Sequence, residues 1–175
     1  MIYIKAMGSK IRLDDENSEL AQSFYDCIED LADTEMVQRL AEYRHHMDIS
    51  RLQHCLNVAY YSYLLAEKLG FDSRAAARGG LLHDLFFYDY KTSGFRRHHK
   101  YIHPRQALEN ARTLCELTGK EEEIILNHMW PSCTETPRHI ETYIVSSVDK
   151  YCATFEAVNF MLRKVSGRAG KTINR

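Results

Sequence analysis

The chain has 175 residues, of which 45% are hydrophobic and 27% are charged, and its formal net charge is -1. These values fit one globular domain with a real core, and the near-neutral charge gives no general attraction to nucleic acid or to membrane surfaces. No apolar run approaches the roughly 20 residues of a membrane helix, and the N-terminal residues do not resemble a signal peptide, so we expect a cytoplasmic protein.

Histidine and cysteine usage gives the first chemical indication. The five cysteines are odd in number, widely spaced and form no Cys-x-x-Cys pair, which is typical of reduced, mostly buried thiols and not of a disulfide framework. The nine histidines are a mild excess, and histidine is the commonest metal ligand in proteins.

Helical patterns follow one another along the chain, with few strand-like alternations, no internal repeat and three prolines. This succession predicts an all-α fold with a single helical domain. We expect residues 1–16 to form an N-terminal arm, residues 17–165 the domain with its core at about 50–156, and residues 166–175 a basic flexible tail.

The apolar periodicity predicts helices at about 18–31, 33–43, 50–69, 73–86, 103–117, 121–130 and 138–158, with a shorter one around 160–162. Asp48 and Ser50 are alternative N-caps for the third helix. Pro104 suits the first turn of the fifth helix, which puts His103 at or just before its start. Gly119 is expected to end that helix.

The stretch 79–84, Gly-Gly-Leu-Leu-His-Asp, lies near the end of the fourth predicted helix. Neighbouring residues on a helix point about 100° apart, so His83 and Asp84 can face one ion only near a helix end or between packed helices. Gly79 and Gly80 would let a neighbouring ligand helix approach closely.

Other potential ligands lie on or at the ends of four more predicted helices. His54 and Asp149 each lie on an apolar stripe, and a buried carboxylate is costly unless it is paired or metal-bound. Each also has an ordinary interpretation, since a histidine on an apolar face is often a hydrogen-bonded core residue and Asp149 could pair with Arg51. The candidate ligands are His54, His83, Asp84, His103, His128 and Asp149.

Together these residues resemble the HD-domain superfamily of metal-dependent phosphohydrolases, which is named for its His-Asp pair. The likeness covers about residues 50–156 and rests on Ser50-Arg51-Leu52-Gln53-His54, Gly80-Leu81-Leu82-His83-Asp84 and Ile144-Val145-Ser146-Ser147-Val148-Asp149-Lys150. The resemblance implies an all-helical HD-domain bundle in which one metal ion is held by His54, His83, Asp84 and Asp149.

Binuclear members of this superfamily bind a second ion through a histidine that opens the next helix and another that ends the following one. His103 and His128 match those places, which implies that Asp84 bridges two ions and that Asp84 and His83 act in catalysis. Carboxylate and imidazole ligands suit Fe, Mn, Co, Ni or Mg, and we expect two divalent ions and no organic cofactor.

The resemblance implies hydrolysis of a small nucleotide or another phosphate ester through metal-bound hydroxide. Met129-Trp130-Pro131 stands where the cyclic-dinucleotide phosphodiesterases of the superfamily have a second histidine and a Gly-Tyr-Pro loop, which disfavours that substrate. Phe87 replaces a lysine that often follows the His-Asp pair, although Lys91 lies nearby. The chain is more similar to the bacterial HD-type hydrolases of dinucleoside polyphosphates.

The irregular polar stretch 87–101 is a candidate rim for the site. The basic side chains of residues 96–100 could receive phosphate, although a solvated basic loop is the alternative interpretation. Outside this stretch, the Trp130 indole could stack on a base or simply cover the core. The candidate substrate contacts are Arg51, Arg96, Arg97, His99, Lys100, Trp130 and Lys150.

Two other functions remain open at this point. Some members of the superfamily use the same ligand types as di-iron oxygenases, and a non-catalytic domain that binds a metal or a nucleotide would also keep the ligands. The expected partner is a small phosphorylated substrate. No membrane partner and no strong nucleic-acid signal are found, and a homo-oligomer is left open.

Overall fold

The computed structural model describes Ala6, Gly94 and residues 18–45, 49–89, 98–132 and 135–172, with side chains up to residue 166. This part of the chain contains an isolated β-bridge between Arg44 and Ser50 but no strand, so the predicted all-α fold is confirmed. Its elements are α1 (Glu19–Ala32), α2 (Glu35–Gln38), a 3₁₀ helix (Arg39–Glu42), α3 (Arg51–Leu69), α4 (Ser73–Leu82), α5 (His99–Leu114), α6 (Gly119–Asn127) and α7 (Ile140–Thr172).

Helix α3 has clear signals at both ends. The Ser50 side chain accepts a hydrogen bond from the Gln53 amide and so caps the N-terminus, whereas Asp48 lies outside the described residues. Gly70 ends the helix with a φ of 73°, a left-handed conformation that favours glycine.

The glycine pair of α4 lies against two other helices. A Cβ atom on Gly80 would lie 2.9 Å from the Cα of Ala59 in α3, and one on Gly79 would lie 2.5 Å from the Cγ2 of Ile124 in α6. The close approach predicted from the sequence is therefore present on both sides. It brings the helix of His54 and the helix that precedes His128 against the helix that precedes His83.

Two groups of buried apolar side chains hold these helices together. The larger joins α1, α3, α4 and α5, and it includes Phe24 and the fully buried Leu81 and Leu82. The smaller joins α3, α6 and α7 through residues such as Val58 and Val145. Each fully buried leucine contributes roughly 1.5–3 kcal/mol of transfer free energy, so both groups fix the ligand helices firmly.

Three predicted helix ends were wrong. Helix α4 ends at Leu82, four residues before the predicted end at about 86. Helix α5 begins at His99, one turn before the predicted start, so Pro104 lies inside it. Gly119 begins α6 and does not end α5, because Thr118 and Glu121 form a capping box: the Thr118 Oγ1 accepts from the Glu121 amide and the Glu121 carboxylate accepts from the Thr118 amide.

Helix α7 runs without a break from Ile140 to Thr172, where the sequence indicated a long helix followed by a shorter one. Beyond Glu156 its large apolar side chains, such as Met161 and Leu162, are exposed. None of the helices in the described ranges has the length and apolarity to cross a membrane.

Candidate metal centre

The first group of donors lies between α3, the end of α4 and α7. The Nε2 atom of His54 lies 3.0 Å from the Oδ1 of Asp149, although 95 residues separate them in the chain. The Nε2 of His83 lies 3.9 Å from the same oxygen and 3.8 Å from the Oδ2 of Asp84. His54 and His83 are almost completely buried, whereas the Asp149 side chain is 15% exposed.

The second group of donors lies between α5 and the end of α6. The Nε2 atoms of His103 and His128 lie 2.9 Å apart. They lie 3.4 Å and 3.8 Å from the Oδ1 of Asp84. Asp84 therefore presents one carboxylate oxygen to each group of donors. The structure thus brings together all six predicted ligands, and groups of them are close enough to share an ion.

The hydrogen bond made by the Nδ1 atom of each imidazole determines whether its Nε2 atom can bind a metal ion. Each of the four histidines has its Nδ1 atom within hydrogen-bond distance of an acceptor outside the donor groups. Three meet backbone carbonyl oxygens and one meets a carboxylate: His83 with Gly80, His103 with His99, His128 with Ile125, and His54 with Glu156.

A neutral imidazole has only one N–H, so an Nδ1 that donates leaves a lone pair on Nε2. The four Nε2 atoms point inward, toward one another and toward the carboxylates of Asp84 and Asp149. All of these atoms are then hydrogen-bond acceptors, and none of them carries a proton to donate. Buried acceptors in such an arrangement repel one another unless a cation or a proton lies between them. A divalent metal ion fits this set of nitrogen and oxygen donors.

The pKa values of the second group agree with this assignment. Burial lowers the pKa of His128 to about 3, assisted by the nearby imidazoles of His83 and His103. Burial also lowers the pKa of His103. Burial alone would raise the pKa of Asp84, but the surrounding imidazoles outweigh it and hold that pKa well below its ordinary value. Neutral imidazoles and an ionised carboxylate are the forms that bind metals.

The pKa values of the first group indicate that a proton can lie between its crowded donors. Burial would lower the pKa of His54, but hydrogen bonds with Asp149 and Glu156 outweigh it and raise that pKa to about 10. The hydrogen bond with His54 also overcomes burial at Asp149 and lowers the pKa of this carboxyl. A proton between His54 and Asp149 therefore occupies the place that a metal ion would take.

Sequence reasoning missed His45, which precedes α3. Its ring stacks on that of His54 with centroids 3.8 Å apart and an interplanar angle of 18°. Its Nδ1 lies 3.5 Å from the Oδ2 of Asp84, and with His54 and Glu156 it forms a further group of potential metal donors. No helical periodicity links His45 to the ligand stripe, so the sequence carried no signal for it.

Sequence reasoning also missed Glu156, for which a signal existed. It lies seven residues after Asp149, on the apolar stripe of α7 that includes Val148 and Cys152, and it is 1% exposed. Its carboxylate lies 3.1 Å from the Nδ1 of His54 and accepts a 2.9 Å hydrogen bond from the side-chain Nδ2 of Asn57. A carboxylate on an apolar stripe was the same indication that led to Asp149.

The cysteines near the centre stay out of the ligand set. Burial raises the pKa of Cys152 to about 12, and it raises the pKa of Cys55 well above its ordinary value, so both are protonated thiols. The described cysteines, which also include Cys27 and Cys115, form no disulfide. Their reduced state was predicted from the sequence.

Arg51 was predicted to contact substrate, but the structure places its side chain in the interior of the protein. It is 1% exposed, and its guanidinium donates hydrogen bonds to the carbonyl oxygens of Phe86 and Tyr88 and stacks on the Phe86 ring at 3.6 Å. These contacts hold the backbone that follows the His-Asp pair. The structure does not bring Arg51 to an exposed part of the site.

The other predicted substrate contacts are distributed around the centre. His99 stacks on His103 with centroids 4.3 Å apart and its Nδ1 lies 2.9 Å from the Tyr88 hydroxyl. Lys100 is exposed one residue later. Trp130 is half-buried and contacts Tyr143. Lys150 is exposed, and its Nζ donates to Ser146. The described residues do not include Arg96, Arg97 and Lys91.

Comparison with known proteins agrees with this geometry. The family model described as HD domain matches residues 51–154, which is more than half of the chain and includes all six ligands. No curated protein and no solved structure matches the chain. The chain therefore belongs to the HD-domain family, a superfamily of metal-dependent hydrolase type.

Proposed function

We propose that this protein is a metal-dependent phosphohydrolase that acts on a small nucleotide or another small phosphate ester. The observation that carries the proposal is the arrangement of four inward imidazole nitrogens around two carboxylates, with Asp84 facing both donor groups. His54, His83, Asp84 and Asp149 would hold one ion, and His103, His128 and Asp84 would hold a second.

The charge of such a centre favours a phosphate substrate. Two divalent ions would bring four positive charges. The ligand carboxylates Asp84 and Asp149 and the buried Glu156 behind His54 would neutralise three of them. The four histidine ligands are neutral when they coordinate. The resulting excess of positive charge in a buried site attracts an anion, and a phosphate ester supplies one.

Divalent ions at this centre would supply Lewis-acid activation of water and of a phosphoryl oxygen. The chain itself orients the donors: backbone carbonyls fix the rings of His83, His103 and His128, and Asp84 fixes the spacing of the two groups. Lys100 and Lys150 are exposed cations close in sequence to His103 and Asp149, and they are among the candidates for phosphate contacts.

The test is phosphate release by the metal-loaded chain. Protein supplied with Mn²⁺ or Co²⁺ is expected to release phosphate from p-nitrophenyl phosphate or from members of a panel of nucleoside mono-, di- and triphosphates. Asp84→Asn is expected to lose at least a hundredfold in turnover and to retain less metal, because it removes the charge that both donor groups share. Asp26→Asn on the exposed face of α1 is the matched control.

Three outcomes separate this proposal from its alternatives. No turnover across the panel, with bound metal confirmed by elemental analysis, would contradict a phosphohydrolase. Oxygen consumption by iron-loaded protein in the presence of a diol or a phosphonate would favour the di-iron oxygenase. Metal binding without either reaction would favour a non-catalytic binding domain.

A further inference from the structure

The four ligand histidines differ in what they meet behind the centre. His83, His103 and His128 each have Nδ1 against a neutral backbone carbonyl, at 2.8, 2.6 and 2.8 Å. His54 alone meets a carboxylate, with its Nδ1 3.1 and 3.2 Å from the two oxygens of Glu156. The two groups of donors are therefore electrostatically unequal.

Glu156 is held rigidly in this position. Its carboxylate has no exposed surface, and it accepts a hydrogen bond from the Asn57 side-chain nitrogen at 2.9 Å. Asn57 in turn accepts a hydrogen bond from Gln53 at 2.9 Å. This chain of contacts links one turn of α3 to α7 and holds the carboxylate against the His54 ring.

We propose that Glu156 is a positioning residue of the metal centre. It fixes the tautomer of His54 and increases the affinity for the ion held by His54, His83 and Asp149. This inference rests on the proposed metal centre. A carboxylate that accepts from Nδ1 keeps the lone pair on Nε2 and makes the imidazole more basic, and it adds a negative charge close to the cation. The donor group of His103 and His128 receives no such charge, so its ion binds more weakly.

The experiment is a metal titration of the stripped full-length chain with Co²⁺ or Mn²⁺, followed by calorimetry. The wild-type chain is expected to bind two ions with unequal affinity. Glu156→Gln keeps the size and the acceptor oxygen but removes the charge. It is expected to raise the dissociation constant of the more tightly bound ion by roughly 10–100-fold and to change that of the more weakly bound ion by no more than about twofold.

Glu141→Gln is the matched control. Glu141 is also buried, lies on the same helix, and accepts a hydrogen bond from Lys120 at 2.8 Å, in a place where none of the six ligands participates. This variant should bind both ions as the wild-type chain does. Unchanged affinities in Glu156→Gln, with an unfolding transition like that of Glu141→Gln, would overturn the role of Glu156.

A second measurement does not depend on the stability of a variant. In the Zn²⁺-loaded wild-type chain, histidine ¹H–¹⁵N NMR is expected to show one Nδ1 proton farther downfield than those of the other ligand histidines, because its acceptor is a carboxylate. Four equivalent ring environments would overturn the inference. A wild-type chain that binds no divalent metal would overturn the proposed centre and this inference together, whereas normal binding with an insensitive Glu156 would overturn only the inference.

Discussion

The burial of Arg51 changes the role that we assign to this charged residue beside the candidate metal centre. From the sequence it was a candidate substrate contact or a partner of Asp149. In the structure its guanidinium lies over the Phe86 ring and donates to two backbone carbonyls of the segment after Asp84. A planar fork with several donors suits this task better than a single ammonium group does.

We predict that Arg51→Lys destabilises the protein by about 1–3 kcal/mol without raising the KM for a phosphate ester. Arg51 uses two separate nitrogens, Nη1 for the Phe86 carbonyl and Nη2 for the Tyr88 carbonyl, whereas lysine has a single donor nitrogen. We therefore expect one buried carbonyl to lose its partner, which costs about that much. Denaturant unfolding and steady-state kinetics measure the two effects. Arg74→Lys at an exposed position is the control. A large rise in KM at unchanged stability would support a substrate contact.

Helix α4 is the element that sets the distances within the site. Gly80 lies against the backbone of α3, whereas Gly79 lies against the Ile124 side chain of α6. A backbone neighbour cannot rotate away, but a side chain can partly adjust. The two glycines are therefore unequal, and Gly80 is the position where an added methyl group must separate two helices.

Gly80→Ala is expected to lower the free energy of unfolding by about 1–3 kcal/mol, the usual cost of overpacking a core. Gly119→Ala serves as its control, since a Cβ atom there meets nothing within 4 Å. That control should be neutral or slightly stabilising because alanine favours a helix. Urea unfolding of both variants measures the difference. Equal stability of Gly80→Ala and wild type would contradict the close contact between α3 and α4.

The elements were predictable where local signals and periodicity agreed. Gly70 and the His-Asp pair lie where the pattern put them. The start of α5 was not predictable, because contacts of His99 with Tyr88 and His103 extend the helix before Pro104. The break expected in α7 is absent, since nothing in the 158–160 region prevents a continuous helix. Tertiary contacts therefore moved the first boundary, whereas the second is absent because the sequence there has no glycine or proline to break the helix.

At the scale of the molecule, the centre joins residues from five parts of the chain. The six candidate ligands could be named from the sequence because each is a polar residue on an apolar stripe or at a predicted helix end, and because together they resemble the HD-domain pattern. His45 could not, because its approach to His54 depends on how the segment before α3 folds back. The domain limits and the cytoplasmic location stay predictions.

We predict that removing metal lowers the melting temperature. Without metal a proton can lie between His54 and Asp149, but the inward lone pairs of His103 and His128 stay uncompensated. An ion that binds only the folded chain stabilises it by about 2.7 kcal/mol at a hundred times its Kd. Thermal unfolding in EDTA and in excess Mn²⁺ measures the shift. The shift should be much smaller for Asp84→Asn, and an equal melting temperature of the wild-type chain in both buffers would contradict a centre that stabilises the fold.

The separation of His54 from its partners in the sequence also has a consequence for folding order. Asp149 and Glu156 lie 95 and 102 residues away, so these contacts between α3 and α7 close long loops. Long-range contacts of this kind form late, because the entropy of loop closure must be overcome first. Helices α3 and α4 can pack earlier through neighbouring segments. An ion that needs Asp149 can therefore bind tightly only after α7 has docked, and metal uptake during refolding would report the completion of the native topology.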